Sequence, residues 1–113
     1  MNERDRLTLE QLLTAAVRLH GLAEARERAT LDRDDVALLA MLHLIQRLGE
    51  AASRVTADFR ATHPEFPWHE MIGMRNRIVH ADADLDPDIV WRIATEDIEP
   101  VIAAAERAMT ELG

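Results

Sequence analysis

The 113-residue chain has no cysteine, no tyrosine and no lysine. Without cysteine there can be no disulfide, no thiolate metal centre and no cysteine nucleophile. Without lysine, every permanent cation is a forked guanidinium suited to two-point contact with phosphate or carboxylate. Aromatic residues are scarce, two Trp and two Phe. No apolar run approaches the roughly 20 residues that cross a bilayer. The opening Met1-Asn2-Glu3-Arg4-Asp5-Arg6 is charged and lacks the apolar stretch of a signal peptide, so a soluble, cytoplasmic protein without membrane contact is expected. No alternating β-branched run and no Asn-Gly or Asp-Gly turn marks a strand or hairpin.

What is present suits one helical domain spanning residues 1–113. With 48% apolar residues the chain can bury a real core without staples. Thirteen Arg stand against 21 acids, a net charge of −8. The charge is uneven. Residues 1–40 sum to −2, residues 41–80 to +1 with four of the five His, and residues 81–113 to −7. A polyanion is attracted only where positive charge concentrates, so the middle segment is where nucleic-acid chemistry is plausible.

Leu9, Leu12, Leu13, Ala16, Leu19 and Ala23 recur at steps of three and four, one face of a first helix. Asp32 to Asp35 supply caps for a second, expected from about Asp34 to Phe59. That helix carries two apolar stripes, Leu38/Leu42/Ile45/Gly49/Ala52/Phe59 and Met41/Leu44/Leu48/Ala51/Val55. Two stripes need two partners, either a second subunit or other helices of the same chain. His63-Pro64-Glu65-Phe66-Pro67 breaks the pattern, and Pro67 suits the start of a third helix reading from Trp68 to His80. After an acidic loop, Asp86-Pro87 caps a fourth helix carrying Ile89, Val90, Ile93 and Ala94. Pro100 opens or kinks a last one. The expected fold is all-α, an antiparallel bundle of four to five helices.

Arg75-Asn76-Arg77-Ile78-Val79-His80 gathers two Arg, an Asn and a His in six residues. Arg grips phosphate bidentately, His exchanges a proton near neutral pH, and Asn holds a ring or hydroxyl by hydrogen bonds. A phosphodiester attacked by its own 2′-hydroxyl needs a base, an acid and a cation, and no metal or cofactor. Asn76 and His80 share a helix face, whereas Arg75 and His80 lie about 140° apart. They converge where the helix ends or where another chain completes the site.

Leu48-Gly49-Glu50-Ala51-Ala52, Thr62-His63-Pro64-Glu65-Phe66-Pro67-Trp68, Gly73-Met74-Arg75-Asn76-Arg77-Ile78-Val79-His80 and Asp88-Ile89-Val90-Trp91, in that order, resemble the HepT family of the HEPN superfamily of helical ribonucleases. The resemblance runs from about Met41 to Val101. It implies a HEPN-like bundle that forms a homodimer through helix faces, with the active cleft near the subunit junction. It also implies an RNA-cleaving toxin of a type II or type VII-like pair whose antitoxin is an MNT-type nucleotidyltransferase. The family pattern is an Arg, four residues, a His, one residue and a Tyr. Arg75 matches the Arg and would stabilise the scissile phosphate. His80 matches the His and would act as base or acid. Asn76 matches the polar residue after the Arg and would orient one of them. The products would be a 2′,3′-cyclic phosphate and a 5′-hydroxyl.

Asp82 stands where the family Tyr is expected. In some relatives the antitoxin attaches AMP to that Tyr, and here that route is closed. A carboxylate about 6 Å from a phosphate repels it by roughly 3 kcal/mol at an effective dielectric near 20. This motivates the alternative of a catalytically weakened HepT-like subunit that serves as a binding module for its nucleotidyltransferase. Arg77 and Glu50 complete the candidate set, Arg77 as a second cation and Glu50 either orienting Arg75 or His80 or paired to an Arg for structure. The other histidines lack the spacing of a metal site. Asp82, Asp84, Asp86 and Asp88 lack the glycine and distal Glu of a calcium loop and read as solvated charge. Trp68 and Trp91 read as core anchors.

Overall fold

The computed structural model describes residues 2–80 and 86–111, and for residues 75–80 the backbone path alone. Helix α1 runs Glu3–Glu24 and starts where Asn2 Oδ1 accepts a hydrogen bond from the Asp5 N–H at 2.7 Å. Leu9, Leu12, Ala16, Leu19 and Ala23 are buried along one face, as the periodicity predicts. A 3-10 turn, Arg28–Asp32, buries Leu31 and leads to α2, Asp35–Arg54. Asp34 caps α2, accepting from the Ala37 N–H at 3.1 Å.

The long second helix expected to reach Phe59 ends at Arg54. Val55 turns extended (ψ 150°) and Thr56 begins a separate short helix α3, Ala57–Thr62, its Oγ1 accepting from the Phe59 N–H. Asp5, only 2% exposed, holds this elbow from α1. One carboxylate oxygen accepts from the Thr56 N–H at 3.0 Å and the other from the Thr56 hydroxyl at 2.7 Å. Arg60 donates to the Ala52 and Ser53 carbonyls, which α2 leaves unpaired at its end. The Asp5–Thr56 contact and the Arg54–Gln11 hydrogen bond bring the end of α2 to the beginning of α1, so the two helices run antiparallel.

Helix α4, Trp68–His80, packs its buried Met71 and Met74 on α2. Beyond Asp86, which accepts from the Asp88 N–H, α5 (Pro87–Arg92) passes through a π-helical turn, Ile93–Asp97, into α6 (Ile98–Glu111) without a break. The wide turn lies just ahead of Pro100. A proline within a helix lacks an N–H and crowds the carbonyl four residues back, here that of Glu96, and the π turn is where the chain absorbs this. The kink expected at Pro100 is therefore taken up before it. α1 packs against α2 and α6, and α2 against α1 and α4, giving a layer order α4, α2, α1, α6.

One hydrophobic cluster joins every helix. Both stripes of α2 lie inside it: Leu42, Ile45 and Ala52 on one, Met41, Leu44, Leu48, Ala51 and Val55 on the other. Of the two ways to cover those stripes, the structure takes the intramolecular one, with α1 and α4 as partners. Ile89, expected in the core of the fourth helix, is 46% exposed, while Val90, Ile93 and Ala94 are buried.

Candidate functional site

Helix α4 is positioned from its beginning. The Trp68 indole N–H donates to the His63 carbonyl at 3.0 Å, and its ring stacks on the buried Phe66 with centroids 4.5 Å apart. Phe59 meets Trp68 edge-on and stacks on His63 at 4.0 Å. The loop with two prolines is therefore clamped by four rings, and the Met71 N–H donates to the Pro67 carbonyl to open the helix. Trp68 and Trp91 are half-buried against the core, the anchoring role expected of them. Met71 and Met74 then fix which side of α4 faces α2.

Arg75, Asn76, Arg77 and His80 all fall within α4. Their side chains lie outside the described residues, as does Asp82 altogether. Register alone places position 80 nine residues after Met71, about half a turn around the helix, and position 76 about 40° from position 80. Those two positions belong to the side of α4 turned away from the α2 contact. Glu50 is exposed on α2, one residue after the buried Gly49, so a role inside the bundle is closed to it and any action on the motif is from the surface. Arg47 is exposed, and Arg54, also exposed, donates to Gln11.

Two groups that sequence reasoning passed over shape the surroundings. Arg28 in the 3-10 turn donates to Asp88 at 2.6 Å and to Asp32 at 3.0 Å. These hydrogen bonds, that to Asp88 first, raise the guanidinium above its ordinary pKa and keep it charged. The pair pins the start of α5, the first described element after His80, to the connection between α1 and α2. Asp86 and Asp88, expected as solvated loop charge, thus serve as a helix cap and an ion-pair partner. No local pattern announces a contact across 60 residues.

His43 and His69 are exposed, while His20 faces Glu24 and Glu99, and His63 faces Glu111, at 3.4–3.5 Å. No group of three or more His, Cys, Asp or Glu among the described residues could hold a metal ion. None of the described helices is long and apolar enough to cross a membrane.

An all-α bundle that carries an Arg-Asn-Arg-Ile-Val-His run on one packed helix defines a class of HEPN-like protein. The family profile described as Ribonuclease HepT-like matches residues 12–108, and the chain belongs to that family. The chain is 35% identical over 65 residues to the "Probable ribonuclease HepT" of Thermococcus cleftensis, covering 58% of this chain and 59% of that one. It is 34% identical over 62 residues to a "Putative RNase" of Methanocaldococcus jannaschii, covering 55% and 57%. It is 29% identical over 66 residues to a "Putative RNase" of Caldanaerobacter subterraneus subsp. tengcongensis, covering 58% and 59%. The chain thus spans a little under three fifths of these relatives' length. No solved structure matches it significantly.

Proposed function

We propose that this protein is an endoribonuclease, the toxin of a toxin–antitoxin pair, that cleaves RNA without a metal through the ribose 2′-hydroxyl. The observation that carries this reading is that Arg75, Asn76 and His80 occur together on α4 in a chain of the ribonuclease HepT-like family. His80 takes the proton from the 2′-hydroxyl or returns one to the leaving 5′-oxygen. Arg75 offsets the charge that builds on the phosphoryl oxygens, and Asn76 fixes the imidazole or the hydroxyl. Arg77 adds a second cation beside them. The products are a 2′,3′-cyclic phosphate and a 5′-hydroxyl end. DNA lacks the attacking group and resists. The reading includes pairing with a second copy of the chain and silencing by a nucleotidyltransferase-type antitoxin in the cytoplasm. Because Tyr is absent from the chain, that silencing acts by capping or at another residue.

The test is cleavage of a defined RNA by purified chain with chelator present. His80→Ala and Arg75→Ala are each expected to slow cleavage by about 10²–10⁴-fold, the range typical of a positioned acid–base group. A single 2′-deoxy substitution at the scissile nucleotide should block it. Equal rates for wild type and His80→Ala overturn the reading.

Asp82 in place of the family Tyr favours a second reading, a weakened subunit that binds the nucleotidyltransferase and cuts poorly. On that reading purified chain leaves RNA intact, and Asp82→Tyr restores cutting.

A further inference from the structure

Five large apolar residues are exposed among the described residues: Leu7, Val17, Val36, Leu39 and Ile89. Leu7 and Val17 stand ten residues apart on α1, near the exposed Arg4 and Arg18, and read as single surface residues. The other three gather at one end of the molecule. Val36, 78% exposed, and Leu39, 59% exposed, lie one turn apart at the start of α2. Ile89 lies on α5, which packs against both α2 and the 3-10 turn and is tied there by Asp88 to Arg28.

This end of α2 is also unusual in charge. From Val36 to Gln46 the helix has no acidic residue and no Arg, in a chain that is 30% charged. Its outward side reads Val36, Leu39, Ala40 and His43. An exposed acid, Asp35, precedes it, and an exposed Arg47 follows it.

We propose that the outward face of α2 from Val36 to His43, with Ile89 beside it, is the surface on which a second copy of this chain docks. Self-association about a two-fold axis puts a patch against itself, so like charges within it would meet. Each copy carries −8, and a patch free of charge is where two such copies approach at least cost. A basic partner would instead be drawn to the acidic segment 86–111. The flanking charges also choose the orientation. Running the two α2 helices antiparallel sets Asp35 of one copy against Arg47 of the other, twice over, with Leu39 opposite His43. A parallel arrangement would set Arg47 against Arg47. The proposal rests on the two-copy form of the function above and adds where the copies meet.

The experiment is sedimentation velocity on the full chain across a concentration series, with no RNA present. Wild type is expected at twice the 12.8 kDa mass of one chain. The double variant Val36→Glu/Leu39→Glu should weaken pairing by at least about 30-fold, two apolar anchors being replaced by charges that face their own kind. Arg47→Glu should weaken it by roughly threefold to tenfold, as a rim charge does. Leu7→Glu/Val17→Glu on α1 should leave the mass unchanged. Circular dichroism confirms that each variant is folded, which their exposure favours. A wild type that stays at 12.8 kDa, or a Val36→Glu/Leu39→Glu chain that pairs as well as wild type, overturns the proposal. Because mass is read without substrate, failure here is separate from failure to cleave RNA.

Discussion

Two interruptions divide this chain's helices, and they are built differently. At Val55–Thr56 the helix stops outright, and three side chains replace the hydrogen bonds it gives up: Thr56 caps the next helix, Arg60 closes the previous one, and the buried Asp5 holds Thr56. At Ile93–Asp97 the helix widens by a π turn and continues past Pro100 with no cap. The first redirects the chain and depends on groups far apart in sequence. The second stays on its path and is solved by the backbone itself. A change of direction therefore costs a polar network, whereas an embedded proline costs only a wider turn.

The contrast can be broken most forcefully at Asp5. Asp5→Ala leaves the Thr56 N–H and hydroxyl buried without their acceptor and should destabilise the fold by about 3 kcal/mol, read from urea denaturation. Asp5→Asn keeps one acceptor and should cost nearer 1 kcal/mol. A loss below about 0.5 kcal/mol for Asp5→Ala would mean that the elbow stands without its carboxylate. Thr56→Ala removes the cap and one of the two contacts with Asp5, for an expected loss of about 1.5–2 kcal/mol. Pro100→Ala should change stability by less than about 1 kcal/mol in either direction, since the π turn already accommodates the ring. If Pro100→Ala proved as costly as Thr56→Ala, the two interruptions would not differ in the way described.

Local chemistry was readable from sequence and distant chemistry was not. The Asp34 and Asp86 caps, the α1 face and the clamped loop before Trp68 all follow from residues within one or two turns of each other. The end of α2 was hidden because Phe59 falls seven residues after Ala52, in phase with the stripe that the break interrupts. Asp5 looked like one more charge in a charged N-terminus. Only the return of α2 to the start of α1 gives it Thr56, 51 residues away, as a partner. The two stripes of α2 showed that two neighbours exist, but periodicity cannot say whether they belong to the same chain. For the site, the residue types and spacing of Arg75, Asn76 and His80 are legible, as is their place on one helix. Their joint geometry around a phosphate is not a property of spacing.

Helix α4 is an outer layer of the bundle, seated on α2 by Met71 and Met74. An element so placed is a rib on the outside of the molecule and not the wall of a buried chamber. A polymer as bulky as a folded transcript can slide along such a rib without any lid swinging aside, so capture is governed by encounter and charge and not by a gate.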